Sequence, residues 1–226
     1  NMTDASQFSI LGKRNAYTNN SGLHEYIWAT DTADKLILQI YDSDADSDGN
    51  IYIAEKTDAA LTSHEGNWIH ACATYDGSRS ATGIKIYING SEVASSATSL
   101  GSYTAMTRTG TDFFIGRLKS ASGAVVSEGF IDEVAIFNKG LSAAEVTEVY
   151  RLGTTGNLNK LCSPIKNKLV SWWKMGEDAT GTSPNYTIPD QIGDNDATMS
   201  AFQDDSTSDI IESSRSRGNG TEQCLW

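Results

Sequence analysis

Phe114–Gly153 has the sequence FIGRLKSASGAVVSEGFIDEVAIFNKGLSAAEVTEVYRLG. It predicts a strand, a loop, a second strand over 130–137 and a short helix over 142–152. Ser142 is a favourable N-cap residue, and Glu145 can return the second contact of a capping box. One short helix behind the last strand of a β-sandwich is a packing element. The stretch therefore favours an all-β fold and indicates no particular chemistry.

Short strands also fill the sequence before this stretch. Ile84–Ile88 and Ser91–Ala94 flank Asn89-Gly90. Asn-Gly between two strands is the strongest short hairpin signal, because both turn positions need a positive φ. Trp68–Tyr75 alternates between apolar and polar residues with the period of a strand. Further strands are predicted at Phe8–Leu11, His24–Ala29, Lys35–Tyr41 and Ile51–Ile53.

The composition fits an acidic globular β-protein. The chain has 226 residues, enough for one large all-β domain or two small ones. Its three prolines and twenty glycines are typical of many short strands joined by tight turns. The net charge of −12 argues against nucleic acid and anionic membranes as partners. Because there is no apolar run of about 18 residues, we predict no membrane insertion.

The three cysteines are Cys72, Cys162 and Cys224. None belongs to a C-x-x-C pair, which argues against a zinc site. Cys72 lies within a strand-like run and is expected to be a small buried residue. Cys162 and Cys224 can pair in an oxidising environment, but the sequence does not show that they meet.

In their order and spacing, these elements resemble the laminin-G-like, concanavalin A-like jelly-roll family. The resemblance implies an all-β, two-sheet antiparallel jelly-roll sandwich with one short helix near 142–152. Modules of this family mostly bind ligands or build assemblies, and few are enzymes. The matching pieces are Trp68-Ile69-His70, Thr74-Tyr75-Asp76-Gly77, Ile86–Gly90, Phe114–Arg117, Gly129–Val134 and Leu141–Val146.

The chain departs from the family pattern at its N-terminus, which lacks the usual opening strand of the type L-V-x-x-W-x-M. Leu169–Met175 resembles that strand and is followed in the sequence by Asp190–Gly193 and Ala197–Met199. We therefore predict a laminin-G-like sandwich over 1–155. In the segment 156–226, residues 169–202 would complete the same sandwich or a neighbouring one, because an unfilled sheet edge is avoided. The alternative is that this segment begins a separate small domain.

One candidate calcium site lies in the turn Asp44–Glu55, which fits the twelve-residue loop pattern of an EF-hand. Asp44, Asp46 and Asp48 supply carboxylates at alternate positions, and Asn50 would supply its carbonyl. The flanks are predicted strands rather than helices. Glu55 would therefore lie roughly 16 Å beyond Asn50 and could not close the coordination shell. The alternative is an acidic hairpin turn.

A second candidate calcium site comes from the resemblance. Some laminin-G-like sandwiches hold calcium between an aspartate of the late strand and one of the turn near the opening strand. The matching positions are Asp132 and Asp190, with carbonyls near Gly193 and Asn195. Oxygen ligands of this kind suit Ca²⁺. The alternative is that Asp132 and Glu133 are ordinary polar residues at a strand edge.

The evidence for catalysis is poor, and we predict that the protein is not an enzyme. Glycoside hydrolysis needs two carboxylates about 5–9 Å apart, and the chain lacks the E-x-D-x-x-E run of the sandwich-fold glucanases. Asp132 and Glu133 are adjacent, so on a strand they point to opposite faces. The three histidines are scattered, at positions 24, 64 and 70.

Aromatic side chains suit stacking on sugars. Their alternative role is in the core or in cross-strand pairs. Trp172 and Trp173 point to opposite faces of a strand, so at most one is expected in the core. The aromatic candidates are Tyr26, Trp28, Tyr41, Tyr52, Tyr87, Tyr103, Trp172 and Trp173.

Together the sequence predicts a non-catalytic recognition or adhesion module, most simply for glycans or another cell-surface ligand. We expect it to be extracellular, on a cell surface or on a virion, and to self-associate. The alternative is a structural assembly protein, such as a phage virion or tail decoration protein or a filament subunit. A third function is an accessory module of a polysaccharide-degrading enzyme.

Overall fold

The computed structural model describes residues 1–15, 23–44, 51–120, 123–153, 156–176, 178–182 and 185–199. The chain divides into two compact units, Asn1–Phe130 and Ile131–Trp226, called the N-terminal unit and the C-terminal unit below. All strand pairs in the described parts are antiparallel, and helices are few and short, so the predicted all-β class is confirmed.

The N-terminal unit contains a six-stranded sheet, a three-stranded sheet and a hairpin. Its strands are β1 (Ser9–Asn15), β2 (Leu23–Thr30), β3 (Leu36–Tyr41), β4 (Tyr52–Thr57), β5 (Ala71–Tyr75), β6 (Ile84–Ile88), β7 (Ser91–Glu92), β8 (Ser95–Leu100), β9 (Phe113–Ile115), β10 (Arg117–Ser120) and β11 (Gly123–Val126). The large sheet has the order β8-β4-β3-β2-β1-β9, the small one is β5-β6-β7, and β10 pairs with β11.

One face of the six-stranded sheet covers a core cluster of the N-terminal unit. Ile40 is paired with Tyr26 on one side and with Ile53 on the other, so the three side chains share a face. Ile40 and Ile53 are buried with Ala81 and with Ile84 of β6. The neighbouring residues in each strand, such as Ile27 and Gln39, therefore point away from this cluster.

The hairpin between β6 and β7 confirms the turn prediction. Asn89 and Gly90 have φ angles of 51° and 77°, the left-handed values that the turn demands. Ile88 pairs with Ser91 directly across the turn. The Asn89 side chain also accepts a hydrogen bond from the His70 backbone N–H at 3.0 Å, which ties the turn to the residue before β5.

The C-terminal unit contains a two-stranded and a three-stranded sheet. Its elements are β12 (Val134–Phe137), α1 (Ala143–Arg151), α2 (Ser163–Lys166), β13 (Leu169–Trp173), β14 (Thr180–Thr182), β15 (Asn185–Ile188) and β16 (Ala197–Met199). Helix α1 carries the predicted capping box, in which Ser142 Oγ accepts from the Glu145 N–H and the Glu145 side chain accepts from the Ser142 N–H.

The opening-strand-like segment pairs within the chain. β13 runs antiparallel to β12, with Val134 opposite Trp173 and Ala135 opposite Trp172. The two compact units meet in sequence between Phe130 and Ile131, whereas the predicted domain boundary lay at 155/156. Completion of a sandwich by residues 169–202, in the same or a neighbouring copy, stays a prediction.

Three local predictions were wrong. The strand expected over 130–137 begins only at Val134, because Glu133 has a φ of 54° that interrupts extended backbone. The strand expected from Trp68 begins at Ala71. Trp172 and Trp173 are both buried, at 1% and 4% exposure, although they point to opposite faces of β13.

No helix in the described part of the chain is both long and apolar enough to cross a membrane. Cys72 is a free thiol in β5. Cys162 is disulfide-bonded. Cys224, its predicted partner, lies outside the described residues.

Candidate ligand-binding sites

The turn that resembles a calcium loop connects two strands, as the sequence predicted. β3 and β4 pair in register up to Tyr41 opposite Tyr52, and Glu55 lies within that ladder, opposite Leu38. Glu55 is buried and accepts a 2.6 Å hydrogen bond from Ser95 Oγ, so it belongs to the sheet rather than to the turn. Asp44 is exposed, and its backbone N–H donates to Thr107 Oγ1 at 2.8 Å. The other proposed ligands, Asp46, Asp48 and Asn50, lie outside the described residues.

At the second predicted calcium position, the Asp190 carboxylate accepts several hydrogen bonds within the C-terminal unit. Asp190 Oδ1 accepts from the backbone N–H groups of Trp172 at 2.9 Å and Ile192 at 3.1 Å. Asp190 Oδ2 accepts from Asn195 Nδ2 at 3.4 Å. Burial alone would raise the pKa of this carboxyl, but the hydrogen bonds outweigh burial and lower it. The carboxylate thus fixes the turn after β15 against β13.

Asp132, the other half of that predicted site, accepts a 3.0 Å hydrogen bond at Oδ1 from the N–H of Glu133. Among the described residues, no three His, Cys, Asp or Glu side chains are grouped so that they could hold a metal ion. Calcium at Asp132 and Asp190, like calcium at the Asp44 turn, stays a prediction.

Two large aromatic side chains of the N-terminal unit lie side by side at its surface. Trp68 is 38% exposed and Phe130 is 47% exposed. Their ring centroids are 6.4 Å apart and the ring planes are tilted by 35°. Exposed aromatic rings in contact form an apolar patch of the kind that marks ligand sites on otherwise polar surfaces. We call Trp68 and Phe130 the aromatic pair.

Hydrogen bonds of Asn1 hold the two backbone segments that carry the aromatic pair. The Asn1 amino group donates to the Phe130 carbonyl at 2.9 Å, and the Phe130 N–H donates to the Asn1 carbonyl at 2.7 Å. Asn1 Nδ2 donates to the Gly66 carbonyl at 2.9 Å, two residues before Trp68. Gly129 has a φ of 148°, and a Cβ there would lie 2.3 Å from the Asn1 carbonyl oxygen, so only glycine permits this approach.

A second cluster lies at the far end of β1 and combines a guanidinium group with rings. The Arg14 Cζ atom lies 5.8 Å from the centroid of the Tyr41 ring. The Tyr41 centroid is 5.1 Å from that of His24 and 5.9 Å from that of Tyr52. His24 and Tyr41 are buried, whereas Arg14 and Tyr52 are partly exposed. We call these four residues the arginine cluster.

A register shift builds the arginine cluster. Lys13 pairs with Tyr26, but Arg14 pairs with His24, so Glu25 is an extra residue in β2. Glu25 forms an ion pair with Lys13 at 2.9 Å and accepts from Thr109 Oγ1 at 2.9 Å. Glu25, the carboxylate beside the strand partner of Arg14, is therefore paired with Lys13 instead.

Burial, and to a smaller extent the positive charge of Arg14, together lower the pKa of His24 to about 4. Burial also raises the pKa of Tyr41, an effect that Arg14 partly offsets. At neutral pH, Arg14 is therefore the charged member of the cluster, beside an uncharged imidazole and an uncharged phenol.

Most of the aromatic candidates from the sequence serve the interior. Those that are buried are Trp28, Tyr41, Tyr87, Trp172 and Trp173, and those that are partly exposed are Tyr26, Tyr52 and Tyr103. Sequence reasoning missed the aromatic pair and Arg14. Trp68 and Phe130 each lie a few residues before a strand, and a loop position was the only available sign that their rings are exposed.

A family model described as "Concanavalin A-like lectin/glucanases superfamily", of laminin-G type, matches residues 3–147. The match covers well over half of the chain, and it includes the aromatic pair, the arginine cluster and the first turn of α1. No curated protein matches the chain.

Proposed function

This chain belongs to the concanavalin A-like lectin/glucanases superfamily, and on that premise we propose that it is a non-catalytic, saccharide-binding module of an extracellular surface. Laminin-G-like domains are generally non-catalytic binding modules and are commonly extracellular. The observation that carries the proposal is the aromatic pair. Two contacting rings are exposed by 38% and 47%, whereas the other described rings of that unit are buried or only partly exposed.

The chemistry of the aromatic pair suits a sugar ring. One face of a pyranose carries C–H groups, which pack against the apolar face of an indole or a phenyl ring and remove both from water. Hydrogen bonds to Asn1 and the close approach at Gly129 hold the backbone that carries Phe130, and the Asn1 side chain holds Gly66 in the loop that carries Trp68. A preorganised site loses less conformational entropy on binding than a mobile one.

Binding of the whole chain to a glycan array, followed by calorimetry with the best glycan, tests this function. Trp68→Ala and Phe130→Ala should each weaken binding by at least about tenfold, because each removes one stacking surface. The matched control is Tyr150→Ala, which removes a ring of similar exposure, 40%, from helix α1 of the C-terminal unit. Equal affinity of all three variants and the wild type would contradict the assignment to the aromatic pair.

The same assay examines calcium. Binding and thermal stability are measured with added calcium and with EDTA. A loss of either with EDTA would support a calcium site at the Asp44 turn or at Asp132 and Asp190. Asp44→Asn and Asp190→Asn, made separately, would then assign the loss to one of the two positions.

The second candidate function is self-assembly, and edge strand β8 favours it. In the described residues, β8 pairs with β4 on one side only, and its sequence SSATSL carries neither charge nor proline. Five of its six residues are exposed. Natural sheet edges are usually protected by such groups, and an unprotected edge can pair with another chain. A virion decoration protein or a filament subunit would use such an edge.

Light scattering over a range of protein concentrations tests self-assembly. Thr98→Lys places a charge in the middle of the β8 edge and should shift any assembly toward the monomer. Thr82→Lys is the control, because it adds the same charge at an exposed residue outside the strands. A wild-type monomer at all concentrations, or an assembly unaffected by Thr98→Lys, would contradict this use of the edge.

A further inference from the structure

We propose that the arginine cluster is a second binding site, in which Arg14 holds the carboxylate or sulfate group of an acidic saccharide. The saccharide part of this inference rests on the function proposed above. The arginine cluster shares no residue with the aromatic pair, and from it we predict a preference for charged over neutral sugars.

The charge of Arg14 is not matched within the described part of the protein. Lys13, its neighbour in β1, is paired with Glu25, and Lys56 in β4 is paired with Asp31 at 3.1 Å. Among the described residues, Arg14 forms no ion pair with a carboxylate, although acidic residues outnumber basic ones by 29 to 17 in the chain. An unmatched cation in so acidic a protein is a place where a ligand anion is favoured.

The Nε–H group of Arg14 is also an unpaired donor among the described residues, at a buried position where an unpaired donor is most unfavourable. A buried polar group without a partner is unfavourable, and such groups in folded proteins call for an explanation. A bidentate oxyanion explains this one, because a guanidinium group presents Nε–H and Nη–H as a planar fork that matches carboxylate and sulfate geometry.

The neighbours of Arg14 prepare it for an anion. The guanidinium group lies over the Tyr41 ring, with Cζ 5.8 Å from its centroid, a cation–π contact. His24 is buried, and its Nδ1 atom likewise finds no hydrogen-bond partner in the part of the chain that the structure describes. Its low pKa, about 4, keeps the imidazole uncharged at neutral pH, so one ring nitrogen carries a proton that it can donate. The partly exposed ring of Tyr52 provides an apolar wall against which a sugar can pack.

Calorimetric titration of the whole chain at pH 7 with galacturonate, galactose 6-sulfate, galactose and inorganic sulfate tests the inference. We expect an acidic sugar to bind at least about tenfold more tightly than galactose. Preference for galacturonate or for galactose 6-sulfate would identify the anion, and either preference supports the site. Inorganic sulfate that binds as tightly as the acidic sugars would overturn the saccharide assignment.

Arg14→Gln should reduce the affinity for the acidic sugar to that for galactose. Arg14→Lys, which keeps the charge but not the planar fork, should be intermediate. Lys85→Gln is the matched control, because it removes the same charge from an exposed residue of the same unit and should leave the affinity unchanged. In NMR spectra, the imidazole signals of His24 should shift when the acidic sugar binds to the wild type and not when it is added to Arg14→Gln.

The outcomes separate this inference from the proposed function. If all four compounds bind the wild type and Arg14→Gln equally, the arginine cluster is not the site, while Trp68→Ala still tests the aromatic pair. If the wild type binds no saccharide here or on the array, the proposed function and the saccharide part of this inference both fail.

Discussion

Trp172 in β13 and Glu133 just before β12 are joined by a 2.6 Å hydrogen bond from the indole Nε1–H to the carboxylate Oε2. Trp172 is 1% exposed and lies in β13, one residue before its end. Glu133 directly precedes β12 and has a φ of 54°, which an ordinary residue adopts only when its surroundings compensate for the strain. The hydrogen bond therefore stabilises both the strand pairing and the unusual backbone at the start of β12.

Replacement of this tryptophan gives the first prediction. Trp172→Phe keeps an aromatic ring but removes the donor, and we expect the free energy of unfolding to fall by about 1.5–3 kcal/mol, the usual contribution of a hydrogen bond to a charged group. Urea denaturation followed by circular dichroism measures the change. Glu133→Gln keeps an acceptor and should lose less. A Trp172→Phe variant as stable as the wild type would show that the bond contributes little.

The second prediction concerns the start of helix α1. Ser142→Ala removes both contacts of the Ser142 hydroxyl group with Glu145, and we expect a loss of about 1 kcal/mol in the free energy of unfolding. Ser142→Asp keeps an N-cap acceptor and should cost less. Equal thermal stability of Ser142→Ala and the wild type would contradict a stabilising role for the capping box.

The pH dependence of this effect follows from Glu145. Burial would raise the pKa of Glu145, but the hydrogen bonds from Lys139 and Ser142 outweigh burial and lower it. A carboxylate with a lowered pKa in the folded state contributes stability above its unfolded pKa, and the contribution is lost as the pH falls through the folded pKa. The difference between Ser142→Ala and the wild type should therefore shrink below about pH 4.

Local chemistry explains which parts of the fold were predictable. The hairpin at Asn89-Gly90 and the helix that begins after Ser142 depend on residues close together in sequence, so a short pattern is sufficient. β8 carries no apolar alternation, because it forms a sheet edge and is held by backbone pairing with β4, some forty residues away. Nothing within Ser95–Leu100 itself indicates that pairing.

The candidate sites were less predictable because their residues are far apart in sequence. Trp68 and Phe130 are 62 positions apart, and they meet because Asn1 and Gly129 bring two loops together. Arg14 meets Tyr41, 27 positions away in sequence, across the intervening strand β2. Only one of Trp172 and Trp173 was expected to be buried. Trp173 is buried as well, and its indole N–H donates to the carbonyl of Asn195, 22 positions further along the chain, at 2.8 Å.

The third prediction is a pH dependence that arises from His24. Its pKa is about 4 in the folded protein and 6.5 in an unfolded chain, so the unfolded state binds more protons between these values. Stability from the neutral imidazole is fully present above about pH 6.5 and is lost as the pH falls toward 4, by an amount on the order of a few kcal/mol.

His24→Gln tests this dependence, because glutamine does not titrate. The wild type should lose stability between pH 6.5 and 4 more steeply than the variant, as measured by urea denaturation at several pH values. NMR titration of the imidazole signals gives the folded pKa directly. Parallel stability curves, or a measured pKa near 6.5, would contradict burial of a neutral His24.

The fourth prediction concerns the reactivity of Cys72. Burial raises the pKa of this thiol to about 12, and the thiolate is the form that reacts with alkylating agents. At pH 8 the thiolate fraction is roughly one in ten thousand, about a thousandfold below that of an exposed cysteine. Iodoacetamide should therefore label Cys72 slowly in the folded protein and rapidly in urea. Mass spectrometry of the peptide that contains residue 72 distinguishes it from the other cysteines, and rapid labelling without urea would show that β5 opens readily.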